Sequence, residues 1–409
     1  LSSVFETEFP FGLNTTGASK RDRIYNNETT LLSMIHSSIQ EDRSLQNSVL
    51  IFKEVHNRNI EKINKLEEEL KSSKDGRRKG RLDIQKSKRT PISTRTGGYS
   101  QARTRLDMDY VLSVYRKSAE VPSTKNSDKF YGRRVFITDG TYLQLQDTAA
   151  IKEKFNNSFK DGYPRGLLSG IIDQSSGLVV DFTLDSDKKS ELELFGSMIK
   201  NIPSGSLLLA DDLYNCFAIF SLLQNQGVDI IVPGKRQRKY KVIKKIADGD
   251  EIVEISLDAS KSKISKKFNI EDRTIQLRRI EVQDPNANRS IVIYTTILDE
   301  KITKIEIYLK YFTRWDIEIS IREIKSIMRF NVLRGQTPEM ALKELCAGLI
   351  AYNYIRKIIL KSVEKADFSP EDNIFQEYYK NFAIGYVDKL GREYAKHSTG
   401  RQRIIIWKN

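Results

Sequence analysis

Cysteine, histidine, tryptophan and proline are scarce in this sequence, with two, three, two and nine residues among 409. Cys216 and Cys346 each lie in an apolar run, so no disulfide framework is expected and a reducing compartment fits. His36, His56 and His397 are too scattered from them to suggest zinc. Long hydrophobic runs are missing as well. The most apolar stretch, Leu345 to Ile355, is eleven residues between charges, too short to span a bilayer, so no membrane segment is expected. No signal-peptide pattern opens the sequence. Acidic residues are in deficit: 54 Asp and Glu face 68 Lys and Arg, a net charge of +14. With a pI near 9.4 an anionic partner is expected, nucleic acid before a membrane surface.

What the chain does have is a polar seam in apolar surroundings, running from Tyr311 to Lys325. Tyr311, Arg314, Glu318 and Lys325 stand at offsets of three, seven and fourteen. At roughly 100° per residue they fall within an arc of about 60° on a helix, so one face carries a hydroxyl, a carboxylate and two cations. Ile317, Ile321, Ile324 and Met328 flank the arc on one side, and Phe312, Trp315 and Ile319 on the other. A helix apolar on both sides of a polar seam is expected to be wedged into a core, with the seam lining a cleft. The plain alternative is an i,i+4 surface pair of Arg314 and Glu318. A solvated face, however, needs no apolar flanks.

The spacing Tyr-x2-Arg-x3-Glu-x6-Lys resembles the signature of the DDE transposases of the insertion sequence 4 family. The likeness extends to Tyr294–Asp299 before it and to Leu333–Met340 and Ala351–Arg356 after it. It implies a fold: α/β, with a ribonuclease-H-like catalytic core, a β-rich insertion and a helical N-terminal domain that binds transposon-end DNA. It also implies cut-and-paste transposition in the cytoplasm, on the bacterial nucleoid, by a homodimer that holds terminal inverted repeats and target DNA in a synaptic complex. In the family the tyrosine, arginine and lysine of the signature engage the transposon terminus, a role that falls here on Tyr311, Arg314 and Lys325. One departure stands out. The transposon-five relative stacks a flipped base on a tryptophan of its insertion, whereas the two tryptophans here are Trp315 and Trp407. Tyr240, Phe268 and Tyr294 are the aromatic alternatives.

Taken in order, residues 1–125 read as the helical N-terminal domain with a basic linker. Thr29 to Val49 and Val55 to Leu70 carry apolar residues at helical intervals. From Lys71 to Arg105 twelve basic residues face only Asp75 and Asp83. Such a stretch is expected to bury no core and to order on contact with DNA, the alternative being a solvated linker. Within it Ser93–Leu106 resembles the family's Thr-Gly-x-Tyr-x-x-Ala-Arg-x-Arg-Leu phrase, which makes Arg103 and Arg105 candidate DNA contacts. The catalytic core is expected over 126–233 and 290–365. Strands are read at Arg134–Thr138, Gly166–Asp173, Leu178–Leu184, Ser206–Ala210 and Asp229–Val232, with helices at Glu191–Ile202 and Tyr214–Gln224. The β-rich insertion takes 234–289. It opens on seven basic residues without an acid between Lys235 and Lys245, of which Lys235, Arg236, Arg238 and Lys239 are candidate DNA contacts. Residues 366–409 form an aromatic, basic tail.

Phosphodiester hydrolysis near neutral pH needs an activated water and a stabilised leaving oxygen, which two magnesium ions about 4 Å apart can supply. Magnesium takes oxygen ligands and keeps several waters, so a few convergent carboxylates suffice, and Mn2+ can stand in for it. Asp139, Asp211 and Glu318 are the candidates for catalysis and for metal binding. An Asp-Gly after a strand is on its own a plain turn. The Asp139-Gly140-Thr141 and Asp147-Thr148 pair nevertheless resembles the family's. At the second position Leu207 to Tyr214 matches the family phrase whose first aspartate is the ligand, leaving Asp212 at the helix start. Two rivals remain: a transposase-derived DNA-binding protein without activity, and a structure-selective nuclease of the same fold.

Overall fold

The computed structural model describes residues 23–72, 90–121, 129–155, 162–234, 238–257, 263–283, 290–315 and 331–365. The described residues up to Asn353 form one compact unit, and those from Tyr354 a second. In the second, the described residues are the last turns of a helix, where the Lys357 ammonium lies 5.8 Å from the Tyr354 ring.

The chain begins with four helices, α1 (Asn27–Ser38), α2 (Leu45–Ser72), α3 (Gly97–Arg105) and α4 (Met108–Ala119). Asn26 starts α1 by accepting from the Thr29 amide, and the Thr29 hydroxyl returns the bond to the Asn26 backbone, a reciprocal cap that satisfies two helix-end donors. Part of the basic stretch differs from the sequence expectation. Ile92, Tyr99, Ala102 and Leu106 are all buried, because the last three recur at helical spacing along α3 and its exit.

There follow β1 (Lys129–Phe130), β2 (Arg133–Gln144), α5 (Ala149–Phe155), β3 (Arg165–Asp173), β4 (Val179–Ser186), α6 (Glu191–Met198), β5 (Leu207–Leu209), α7 (Phe217–Gln226) and β6 (Asp229–Pro233). Next come β7 (Lys241–Ala247), β8 (Asp250–Ser256), α8 (Lys263–Lys267), β9 (Thr274–Gln283), β10 (Ser290–Thr295), α9 (Lys304–Phe312) and α10 (Pro338–Lys365). All described strands join one mixed sheet in the order β4-β3-β2-β5-β6-β10-β9-β8-β7, with β1 on the outer end of β2. The pairs β2·β5 and β5·β6 are parallel and the others antiparallel. The fold is therefore mixed α/β with a large mixed sheet.

Crossover helices are what parallel neighbours require, and α6 and α7 supply them. Gly227 closes α7 with φ +71, a left-handed conformation that a side chain would strain. The strands of the 234–289 region extend the same sheet through β10. Their inward residues Val253, Ile255, Ile275 and Leu277 share one apolar cluster with Phe136, Phe195, Leu208 and Phe220.

Three polar contacts hold the parts together. Arg278, 1% exposed, donates twice to Asp250 at 2.7 and 2.6 Å and also to the carbonyls of Asp299 and Ile302 at 2.9 and 2.8 Å. This pair ties the hairpin of β8 and β9 to the loop that starts α9. Lys343 on α10, equally buried, donates to the carbonyls of Arg103 and Thr104 at the end of α3. Glu344 accepts the Arg334 and Gly335 amides, both at 2.8 Å. Burial raises its pKa, against the pull of those amides and of Arg103 and Arg43.

Removing one partner of a buried ion pair leaves an uncompensated charge and costs about 3–5 kcal/mol, whereas an apolar pair in its place is often tolerated. Urea unfolding should therefore show Arg278→Met as strongly destabilised, with Asp250→Leu added to it recovering most of the loss. Equal stability of the single variant and the wild type would contradict the role given to this pair.

Candidate active site

The central strand β2 runs Val135, Phe136, Ile137 and Thr138 through the core before reaching the half-buried Asp139. On one side it pairs with β5 in parallel, Val135 beside Leu207 and Ile137 beside Leu209. Two residues beyond the last pair stand Asp139 on the one strand and Asp211 after the other, and the charges of both reach Glu191. Neighbouring strands lie about 4.8 Å apart. The sequence reading ends this strand at Thr138, but β2 continues to Gln144 against β3. The parallel half of the ladder ends at Ile137, two residues before the half-buried carboxylate. The Asp139 side chain accepts the Gly140 amide at 2.8 Å.

Asp211 follows the buried run Leu207 to Ala210 and begins a 3-10 turn, Asp212–Tyr214, whose Leu213 amide it accepts at 2.9 Å. Tyr214 closes that turn with its ring fully buried. Its hydroxyl donates to Glu191 Oε1 at 2.7 Å and lies 3.4 Å from the Thr138 hydroxyl.

Glu191 is the residue that sequence reasoning missed as a member of this site. It is the first residue of α6, whose amide ends are capped by Ser190. Strand β4 is two antiparallel steps from β2 and so runs the same way, which starts α6 at the end of the sheet where the aspartates sit. An acid in the first turn of a helix is ordinary dipole compensation, and the sequence offers no other mark. Burial pushes the Glu191 carboxyl up to about 7; the charges of Asp139 and Asp211 push the same way, and the Tyr214 hydroxyl and Gly140 amide pull against them. Gly140 is what lets it in. A Cβ there would stand 2.3 Å from Glu191 Oε2.

Tyr311 and Arg314 reach the same place from α9, which Thr303 and Glu306 start with a capping box. The regular helix ends at Phe312, where the Thr313 hydroxyl takes the Lys310 carbonyl at 2.7 Å, and Arg314 lies in the 3-10 turn Thr313–Trp315. Tyr311 and Arg314 therefore do not share one unbroken α-helix, as the spacing predicts. Both are nonetheless buried, at 9% and 8% exposure, with the guanidinium 6.0 Å from the Tyr311 ring. Burial raises the Tyr311 hydroxyl's pKa, Arg314 lowers it, and Asp211 and Asp212 add to the rise. Glu318 and Lys325 lie outside the described residues, as do Lys235 and Arg236.

The other candidate contacts divide. Arg238 is half-buried, donates to Asn215 at 2.6 and 2.8 Å just beyond the Asp211 turn, and stacks near Phe220 and Tyr294. Lys239 is exposed. Arg103 lies half-buried by the Tyr99 ring, 5.9 Å from its centre, and Arg105 is exposed. Of the aromatic alternatives, Tyr294 is buried and Tyr240 exposed.

Among the described residues no group of three or more histidine, cysteine, aspartate or glutamate side chains is arranged to hold a metal ion. Asp139 and Asp211 contribute two carboxylates, whose charges add to the rise that burial gives Glu191. Oxygen donors and excess negative charge suit a hard divalent cation.

The transposase DDE domain family matches residues 130–354 of the chain. The chain is similar to the transposase InsG for insertion sequence element IS4 of Escherichia coli K12, 25% identical over 274 residues, covering 64% of this chain and 61% of InsG. It is also similar to the transposase for insertion sequence element IS421 of Escherichia coli, 26% identical over 119 residues, 29% of this chain and 31% of that protein. It thus spans about three fifths of the length of InsG and less of the other. A solved piggyBac transposase synaptic complex with hairpin DNA aligns over 97% of this chain and 78% of its own, at TM-score 0.39 and 10% identity, too distant to support an argument.

Glu191 holds its proton more tightly in the folded protein than in the unfolded chain, where a glutamate titrates near 4.5. Its contribution to stability is thus complete below pH 4.5 and lost as pH rises through about 7. In metal-free protein the wild type should lose about 2 kcal/mol more than Glu191→Gln across that interval. Thermal unfolding in a chelator at several pH values reads the difference; parallel curves would exclude the buried, raised carboxyl.

Proposed function

The chain belongs to the transposase DDE domain family, and from that premise we propose that it is a transposase that cuts the ends of a mobile DNA element and joins them to target DNA. The observation that carries this reading is that Asp139 and Asp211 each stand two residues beyond the last pair of the parallel β2·β5 ladder, with both charges felt by Glu191. The order β4-β3-β2-β5-β6, three antiparallel strands followed by two parallel ones, supports a ribonuclease-H-like core over 126–233 and 290–365. Residues 234–289 are the β-rich insertion, 1–125 the helical DNA-end-binding domain with its basic linker, and 366–409 a C-terminal tail.

Members of this family depend on divalent metal. In this chain Asp139, Asp211 and Glu318 are the ligands, and Mg2+, as two ions, is the natural occupant, with Mn2+ a substitute. A divalent ion held by these residues would supply an activated water and stabilisation of the leaving 3′ oxygen. The protein's own groups do the rest. Arg314, buried beside Tyr311, grips the phosphate of the element's terminal strand. The family signature gives Tyr311 and Lys325 the same task of engaging that terminus. Arg103, Arg105, Lys235, Arg236, Arg238 and Lys239 neutralise backbone phosphates further out. The freed 3′ hydroxyl attacks the opposite strand to give a hairpin, and the reopened end joins target DNA. Handling both ends in one synaptic assembly calls for a homodimer acting on the bacterial nucleoid. Retention of the paired aspartates argues against the inactive DNA-binding rival.

Duplexes carrying the inverted repeats that bracket the gene test the reading. Wild-type protein with Mg2+ should nick them and transfer the ends to plasmid. Asp139→Asn, Asp211→Asn and Glu318→Gln should each lose roughly 100-fold or more of that activity while still shifting the duplex on a gel. Undiminished cleavage by any one of the three would remove it from the site.

A further inference from the structure

The carboxylate of Glu191 joins the two elements that carry the aspartates. From its first position on α6 it accepts the hydroxyl of Tyr214 at 2.7 Å, and Tyr214 ends the turn that Asp211 begins. Its other oxygen lies against Gly140, so closely that a Cβ on that residue would stand 2.3 Å away, and Gly140 is the residue after Asp139. Glu191 thus spans from the backbone beside one aspartate to the turn of the other. The sheet cannot do this alone. The β5 ladder stops at Leu209, so no strand hydrogen bond with β2 reaches Asp211.

Two aspartates side by side repel each other, and a turn without an anchor would let Asp211 swing away from Asp139. The Tyr214 tether opposes this. Its ring is fully buried and packs edge-on against Phe195 of the same helix α6, with centroids 5.1 Å apart, so the hydroxyl has little freedom to follow a moving partner.

We infer that Glu191 is a positioning residue: with Tyr214 it sets the separation of Asp139 and Asp211, and so their affinity for a divalent cation, without itself being a ligand. This rests on the metal-site reading of the two aspartates. Groups that orient ligands are worth about 10–100-fold in metal affinity. A purely structural role would instead change stability and leave affinity alone.

The test is Mn2+ binding to the full chain in the absence of DNA, followed by loss of the free-ion paramagnetic signal, with thermal unfolding in chelator as the control for folding. Tyr214→Phe keeps the Glu191 charge and removes the tether. Glu191→Gln removes the charge and keeps an acceptor for Tyr214. Glu191→Ala removes both. Positioning predicts Mn2+ affinity lowered about 10-fold in Tyr214→Phe and Glu191→Ala and within about threefold of wild type in Glu191→Gln. The opposite order, with Glu191→Gln as weak as Glu191→Ala and Tyr214→Phe unchanged, would make Glu191 a ligand and overturn the inference. Wild-type affinity in all three would overturn it as well. If Glu191→Ala does not fold, the other two still give opposite answers under the two roles. Failure of the wild type itself to bind Mn2+, or wild-type affinity in Asp139→Asn, would instead count against the metal-site reading.

Discussion

Like charges do not gather unless something stronger holds them, and here it is the parallel ladder of β2 and β5. Three residues of register, each apolar and buried, deliver Asp139 and Asp211 to the same level of the sheet. Hydrophobic burial along these strands is worth far more than the repulsion of two half-solvated carboxylates. Helix α6 starts at the end of β4 on this side of the sheet, which carries Glu191 into the cluster, where burial first and the charges of Asp139 and Asp211 after it raise its titration.

The sheet also explains how Tyr311 and Arg314 arrive. Strand β10 lies between β6 and the outer strands, so the chain leaving β9 re-enters beside the core and passes directly into the loop before α9. Arg278 fixes that loop through two carbonyls while pairing with Asp250. A fully satisfied buried guanidinium is costly to assemble and tolerates little displacement, which makes the outer strands a rigid support for α9 rather than an appendage.

Basic residues serve two physical ends in this protein. Lys343 and Arg278 are almost wholly buried and spend their donors on backbone carbonyls and carboxylates, and Arg238 is occupied with Asn215. Arg105, Lys239, Lys241 and Lys245 are exposed, where cations can meet phosphates, while the exposed Lys244 pairs with Glu300. Net charge alone does not separate these populations.

Much of the fold was legible in the sequence. Apolar runs bounded by glycine and serine gave β3, β4, β5 and β6 to within a residue or two, and helical spacing gave α6 and α7, because strand and helix periods are local properties of the chain. The buried apolar runs that lead into Asp139 and Asp211 were legible too. Three things were not: the continuation of β2 past Asp139, the end of α9 before Arg314, and the entry of Glu191. Each is decided by a partner remote in sequence or by side-chain competition for a carbonyl: the antiparallel pairing of β3, the Thr313 hydroxyl, and the Tyr214 hydroxyl with the open space above Gly140. Sequence by itself thus determined which elements form and which acids stand at their ends, since burial and periodicity are written locally. Only the tertiary structure decided which charges share a field, because that depends on strand register and on distances between residues tens of positions apart.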